Sequence, residues 1–254
     1  LSCKNSSSTS NVGKLIMKKF IFILLFSFSI SLNAQHYMIT YVNVPAENQE
    51  EFINIETEYW AESKQANIDA GNQIAWGLVQ KVGGNPNNSW THAFINVYEN
   101  AEQMTSPGVG PSDNLASSLV TSGSLSSYQA DFHWVVKTSM QQSTERVDGQ
   151  VTVWNFARPA NINGFINENT NLWKPFFENN DTGRISWGVG LKLNPRSNNL
   201  STVMTWDGFP SLADALNSLD IDPDFNPPRG SKMDEYDPDG WTSQIIVRDI
   251  MWLN

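Results

Sequence analysis

Short extended stretches and longer helical stretches alternate along this chain, and their order occurs twice. In the first copy, a helix is predicted over 46–70, because apolar residues recur at three-, four- and seven-residue spacings and Gly71 ends the pattern. A short helix at most is expected near 112–120. Runs of β-branched and aromatic residues predict strands at 37–44, 73–82, 89–98 and 131–140.

The second copy repeats this order after a polar linker at about 141–149. Its strands are predicted at 150–157, 184–193, 200–206 and 242–252, and its helices at about 162–179 and 211–219. Pro175 lies inside the first of these helices and is expected to kink or divide it. The predicted fold class is therefore α+β, with two ferredoxin-like β-α-β-β-α-β repeats at 36–143 and 149–254.

Individual residues also recur in the same order, which indicates a duplication. The tetrapeptide at 74–77, Ile-Ala-Trp-Gly, returns at 185–188 as Ile-Ser-Trp-Gly. Other matched pairs are Pro45 with Pro159, Phe52 with Phe165, Trp60 with Trp173, and Tyr98 with Trp206. The sequence offset decreases steadily from 114 to 108, as expected if loops lost single residues. Two such units can pack together and enclose a cavity.

The N-terminal residues predict export. Met17-Lys18-Lys19 precedes an apolar run over 20–30 and small residues up to Ala34, which is the pattern of a secretory signal peptide at 17–35. The run is too short to span a membrane, so we expect no membrane association after cleavage. Residues 1–16 are interpreted as a spurious or disordered upstream segment. The expected location is the periplasm or the exterior of a bacterial cell.

Composition excludes several classes of function. The sole cysteine is Cys3, so the predicted mature chain has no thiolate nucleophile and no cysteine metal site. Residues 1–35 hold four of the 16 basic residues and none of the 26 acidic ones, which leaves a net charge of −14 on the remainder. That charge disfavours nucleic acid as a partner. All ten tryptophans follow residue 35 and can supply a large apolar core.

The two repeats resemble the dimeric α/β-barrel superfamily. Each has an aromatic residue closing the third strand before a short helix, at 98–102 and at 206–214. The resemblance implies two sheets packed face to face, here within one chain, as a monomer with an internal pseudo-dimer. The superfamily includes haem-degrading and cofactor-independent monooxygenases. Asn43 could match the first-strand Asn of the haem-degrading members, but 101–120 and 211–219 lack the Trp and His that they use, so we expect no cofactor.

Aromatic residues are the candidates for ligand binding. Trp76 and Trp187 occupy equivalent positions in the two second strands, and Tyr41 and Phe94 lie on neighbouring strands. One interpretation places the Trp rings in the wall of a cavity between the sheets, with room left opposite them by the adjacent glycines. The alternative is core packing, since aromatic residues at strand spacing usually fill a core.

A small polar set is the candidate for catalysis. His92 and Asp131 are predicted to lie on the third and fourth strands, with Asn43 near the end of the first. A histidine near a carboxylate inside a cleft is the usual general base. The second repeat has no counterpart of His92, so this site would be asymmetric. The alternative is a histidine that is simply hydrogen-bonded or exposed.

The acidic segment before the last strand is a weak candidate for a Ca²⁺ site. Asp220, Asp222 and Asp224 have the alternating spacing of a calcium loop, but residues expected at its Gly and Glu positions are absent. Asp234, Asp237 and Asp239 follow closely. The alternative is a solvated acidic insertion.

These observations predict an exported small-molecule-binding barrel whose ligand is unknown. The nucleophile-elbow, P-loop, dinucleotide-binding and zinc-protease motifs are absent from the sequence. Two alternatives stay open: a cofactor-independent monooxygenase, and a structural or interaction protein with a filled core.

Overall fold

Antiparallel strands close into a barrel in the computed structural model, which describes residues 34–84, 89–108, 122–142, 149–220 and 227–254. Numbered β1 to β8, they are His36–Asn43, Ala75–Lys81, His92–Tyr98, Ser127–Gln141, Val151–Ala157, Ser186–Asn194, Val203–Phe209 and Trp241–Leu253. Around the barrel their order is β1-β3-β2-β8-β5-β7-β6-β4. The first half of the chain therefore forms one contiguous half of the barrel and the second half forms the other, as the predicted fold class requires.

Helices occupy the connections predicted for a ferredoxin-like unit. In the first half, α1 (Gln49–Ile55) and α2 (Ala61–Asp69) are joined by a π-helical turn, and α3 (Ala101–Thr105) begins after the side chain of Asn100 caps it. In the second half these are α4 (Ile162–Glu168), α5 (Lys174–Asn179) and α6 (Leu212–Leu219), followed by α7 (Met233–Tyr236). The predicted short helix at 112–120 and residues 17–33 of the predicted signal peptide lie outside the described residues. No described helix has the length and apolarity needed to span a membrane.

A π turn divides the long helix in both halves, at Glu56–Trp60 and at Asn169–Trp173. Pro175 was expected to be the cause of the division in the second half. The first half has the same turn without a proline, so the turn belongs to the repeated unit and Pro175 only follows it.

Strand pairing establishes the residue-level equivalence of the two halves. Gly77 pairs with Ile95 on β3, and the equivalent Gly188 pairs with Trp206 on β7. Trp206 therefore matches Ile95, and Tyr98 matches Phe209. This corrects the match of Tyr98 with Trp206, which was three residues out of register.

Most strands are buried on both faces, although β4 and β8 also carry exposed residues, and this gives the protein an inner core and an outer core beneath the long helix of each half. The inner core fills the barrel between the two sheets, and Ile39, Tyr41, Trp134 and Trp154 are among its members. The outer cores lie between each sheet and its long helix. Phe52, Trp76 and Leu78 are in the first, and Phe165, Phe177, Trp187 and Val189 are in the second.

Two equivalent lysines fill one end of the barrel interior. Lys81 at the end of β2 donates from Nζ to Ser89 Oγ (2.9 Å), and Lys192 on β6 donates to Ser201 Oγ (3.2 Å). The Lys192 ammonium also lies over the Phe132 ring, at 4.2 Å from its centroid. Burial lowers the pKa of Lys192 to about 8.

Candidate functional site

The described residues surround two cavities of similar volume on opposite faces of the sheet. One, the second-half pocket, has a volume of about 470 Å³ and lies between the outer face of β5, β7 and β8 and the helices α4 and α5. The other, the interior cavity, has a volume of about 450 Å³ and lies inside the barrel. Both volumes are in the range typical of small-molecule sites.

A chain of hydrogen bonds forms the polar floor of the second-half pocket. Gln244 Nε2 donates to Asn155 Oδ1 (2.8 Å), and Asn155 Nδ2 donates to Asp207 Oδ2 (2.6 Å) and Thr205 Oγ1 (3.0 Å). The other Asp207 oxygen accepts from Arg184 Nε at 2.5 Å. Asp207 is thus an ion-paired carboxylate held in place by two donors, which makes it part of a rigid floor.

Aromatic side chains from the helices form the opposite wall. Phe177 on α5 packs against Trp187 of β6 and against Trp173, with ring centroids 5.2 and 5.7 Å apart. Phe165 on α4 meets Trp241 edge to face at 6.2 Å. These pairs give the pocket apolar sides around a polar floor, the usual composition of a small-molecule site.

The mouth of the second-half pocket is bounded by the segment 227–241. Hydrogen bonds to Glu168, at the end of α4, hold this segment against the long helix. The Glu168 carboxylate accepts from Ser231 Oγ (2.5 Å), from the backbone N–H of Lys232 (2.7 Å) and from Trp173 Nε1 (3.0 Å). In addition, the backbone N–H of Asn161 donates to the Tyr236 carbonyl at 3.0 Å. The segment is therefore fixed against α4 and the π turn.

Asp237 in this segment is a buried carboxyl at the edge of the pocket. It is 8% exposed, and its Oδ1 has no hydrogen-bond partner among the described residues. Burial, and to a lesser extent the nearby Asp239 carboxylate, raises its pKa above the usual range. A lined pocket with a buried, unpaired acceptor is arranged to receive a donor from a ligand.

In the first half the equivalent space is filled. Phe94 occupies the position of Thr205, and its ring stacks on Trp76 with centroids 6.1 Å apart. Gln73 and Asn96 stand where the second half has Arg184 and Asp207, and they form a neutral hydrogen bond of 3.3 Å. The pocket therefore results from smaller and charged residues at positions that the first half uses for packing. The pocket can be recognised in the sequence when the two repeats are aligned in the register that strand pairing gives.

The structure corrects the predicted position of Trp76 and Trp187. Both rings point outward, beneath the helices, and neither lines the interior cavity. Gly77 and Gly188 face the interior instead, and the room opposite them is occupied by the rings of Trp252 and Trp206. Strand alternation separates the two faces of a strand but does not say which is inside, because both are buried here. Trp187 does line the second-half pocket.

The other two predicted aromatic residues are packed in cores. Phe94 lies between Trp76 and Phe52 in the first outer core. Tyr41 lies inside the barrel against Trp90 and Trp154, and burial raises its pKa. Neither residue lines one of the two cavities.

The structure does not bring the predicted catalytic residues into a cavity. His92 faces the first long helix, where its ring contacts Phe52 at 5.3 Å and its Nδ1 is 2.9 Å from Thr91 Oγ1. Asp131 alternates with residues of the inner core on β4 and so lies on the outer face, opposite Thr40. Asn43 ends β1. None of the three lines the interior cavity or the second-half pocket.

Replacing His92 with Leu is expected to remove a specific acid sensitivity. Burial lowers the pKa of His92 to about 4, so between about pH 6.5 and 4 the unfolded chain binds a proton that the folded protein does not. The free energy of unfolding should therefore fall by up to ~3 kcal/mol over this interval. Urea denaturation at pH 7 and pH 4.5 measures it. The loss should be smaller in His92→Leu and retained in His133→Leu; equal losses in the two variants would refute the assignment.

The predicted Ca²⁺ residues are described only in part. Asp220 follows α6, whereas Asp222 and Asp224 lie outside the described residues. The described part of the chain holds no cluster of three or more potential metal-ligating side chains. Of Asp234, Asp237 and Asp239, which the structure describes, Asp237 is the one buried at a cavity.

Comparisons with known proteins concern the fold. No protein-family model and no curated protein sequence matches this chain. It is similar to the structure of a candidate monooxygenase from Fusobacterium nucleatum subsp. nucleatum, at 11% identity over 88% of this chain and 95% of that one, with a TM-score of 0.56. An anthrone oxidase-like protein has 12% identity over 87% and 93%, with a TM-score of 0.53. A candidate monooxygenase from Lactobacillus acidophilus has 9% identity over 87% and 96%, also with a TM-score of 0.53. These similarities identify the dimeric α/β-barrel fold.

Proposed function

We propose that this chain, a dimeric α/β barrel in fold, is an exported small-molecule-binding protein whose site is the second-half pocket. The observation that carries the proposal is the pocket itself, in which aromatic walls and a hydrogen-bonded polar floor meet the unpaired Oδ1 of Asp237. Export is proposed from the signal-peptide pattern at 17–35.

The chemistry of the pocket favours a ring-bearing ligand with at least one N–H or O–H group. Phe177 and Trp187 offer apolar ring surfaces, and Asp237 offers an acceptor. Among the described residues that line the pocket, the one basic side chain is Arg184, and it is paired with Asp207, which disfavours an anionic ligand. A neutral or basic aromatic molecule fits this arrangement best.

A second candidate function is cofactor-independent oxygenation, which Asp237 specifically favours. A carboxylate whose pKa is raised by burial holds a proton more readily, which suits a general base acting on a weakly acidic C–H or phenolic O–H group. For an anthrone-type substrate, Asp237 would remove a proton from the methylene carbon and the resulting anion would react with O₂. One oxygen atom becomes the new carbonyl oxygen, and the other leaves as water with the two methylene hydrogens. The names of the fold neighbours agree with this class of reaction.

The binding proposal is tested by native mass spectrometry of the protein recovered after export. We expect an added mass of a few hundred daltons that is lost on denaturation. Added Ca²⁺ should not be needed for it. A protein that shows no adduct, and that binds no member of a library of neutral and basic aromatic compounds, would contradict the proposal.

Asp237→Asn is expected to separate binding from catalysis. The amide keeps the shape of the side chain but cannot accept a proton as a base, so ligand affinity should change by no more than about tenfold while turnover of anthrone falls at least ~100-fold. Oxygen uptake and quinone absorbance measure turnover. Glu235→Gln, at an exposed carboxyl of the same segment that does not line the pocket, is the control and should keep turnover. If wild-type protein does not oxidise anthrone and still binds ligands, the oxygenase candidate fails and the binding function stands.

A further inference from the structure

We propose that the interior cavity is a second ligand site, and that it takes a neutral, planar ring molecule carrying a hydrogen-bond acceptor. The cavity lies on the other side of the sheet from the second-half pocket, and the two share no lining residue. Neighbouring residues alternate between them: Trp154 and Trp206 face the interior, whereas Asn155 and Thr205 face the pocket. The sites are thus physically separate.

Two glycines shape the interior cavity by letting tryptophan rings lie close to its wall. The ring of Trp252 lies over Gly77, and the ring of Trp206 lies over Gly188, each where a Cβ atom would otherwise project. These contacts are cross-strand neighbours, because Gly77 pairs with Trp252 and Gly188 pairs with Trp206. With any other residue at either glycine, the indole would be pushed into the space that is now open.

The rings of the two tryptophans lean away from each other. Trp206 on β7 extends over Gly188 of β6, and Trp252 on β8 extends over Gly77 of β2. The strands β7 and β8 are separated by β5 alone, and Trp154 of β5 also lines the cavity. One side of the cavity is therefore a wall of indole rings, which favours a flat aromatic molecule against it, because ring–ring contacts add to apolar burial.

Trp134 lines the same cavity, and the described residues leave its hydrogen-bond donor unpartnered. Its side chain is 1% exposed, it lines the cavity, and its Nε1 has no hydrogen-bond partner among the described residues. An indole N–H can only donate, so a ligand that satisfies it must present an acceptor such as a carbonyl oxygen. This requirement distinguishes the proposed ligand from a pure hydrocarbon.

The charge of the lining indicates a neutral ligand. The described residues that line the interior cavity include no Lys, Arg or His, and its one acidic member is Asp249. An anionic ligand would lose its hydration without gaining a cation, which is unfavourable. Ser139 and Gln141 are exposed polar residues of the lining, and they leave an opening through which a neutral molecule can pass.

The test uses prodan, a neutral planar naphthyl ketone whose emission reports both apolar burial and hydrogen bonding of its carbonyl. We expect saturable, blue-shifted fluorescence with the exported protein. Thr152→Trp, on the cavity wall, and Ser139→Trp, at its exposed rim, should each weaken binding at least ~10-fold by occupying the cavity. Thr205→Phe fills the second-half pocket and should change prodan affinity by less than about twofold.

Trp134→Phe tests the hydrogen bond. An aromatic ring, smaller than the indole, is kept and the N–H is removed, so bound prodan should emit at a shorter wavelength than in the wild type. Thermal melts establish that each variant is folded, and Ser139→Trp is the variant with the least effect on packing because residue 139 is exposed.

The outcomes separate this inference from the proposed function. Loss of prodan binding in Thr152→Trp and Ser139→Trp, with retention in Thr205→Phe, supports the interior site. The reverse pattern would place the probe in the second-half pocket and overturn the interior site while leaving the proposed function in place. Absence of saturable prodan binding would also overturn it, and the adduct seen by native mass spectrometry would then decide the proposed function independently.

Discussion

Thr205→Phe is expected to abolish ligand binding in the second-half pocket and to leave the protein folded. The first half already has Phe94 at this position, where its ring packs against Trp76 and Phe52. A phenyl ring at 205 would occupy the space in front of Trp187 and displace the hydroxyl that accepts from Asn155. Affinity for the native ligand, followed by native mass spectrometry and calorimetry, should fall at least ~100-fold.

The reciprocal change, Phe94→Thr, is the control for Thr205→Phe. It removes a ring from the first outer core and should lower the free energy of unfolding by about 3–5 kcal/mol, as for other large-to-small core substitutions. Ligand binding in the second half should be unaffected when measured on folded protein. If Thr205→Phe kept its affinity, the pocket would not be the binding site.

Gly188→Ala is expected to destabilise the protein by about 3 kcal/mol, a large effect for one methyl group. The new Cβ would overlap the Trp206 ring, which is held by neighbours that include Tyr37 at 6.1 Å between centroids. An indole cannot move aside as the end of a flexible chain can, so the ring or the strand must shift. Urea denaturation measures the loss.

Gly190→Ala is the matched control for Gly188→Ala, on the same strand and the same face. Its Cβ would lie 3.3 Å from Met204 Cγ, part of a flexible side chain that can adjust. We expect a change below about 1 kcal/mol. Equal losses of stability in the two variants would show that the close contact between Trp206 and Gly188 does not cause the loss in Gly188→Ala.

The order of elements could be predicted from the sequence because periodicity and turn residues are local. Strand 150–157, for example, ends at Arg158-Pro159 in the sequence and at Ala157 in the structure. The inside and outside of the barrel could not be predicted in this way. Trp76 and Trp187 lie on strands whose two faces are both buried, so apolar character does not mark the inner face.

The site could be predicted only in fragments. Trp187 was chosen for its place in the repeat and does line the second-half pocket. Arg184 and Asp207 were missed because their contact depends on the pairing of β6 with β7. Thr205 was missed because a register error of three residues hid its equivalence to Phe94. Asp237 was noted among several acids, and its burial could not be predicted because its segment packs against a distant helix, where Ser231 donates to Glu168.

The covalent fusion of the two barrel halves changes what a single mutation does. In a homodimeric barrel every substitution occurs in both sheets, so a change that empties one helix–sheet space empties the other as well. Here Thr205 opens one space while Phe94 keeps the opposite one filled. One half can therefore accept charged and cavity-forming residues while the other retains its packing, and the loss of stability is incurred once per molecule instead of twice.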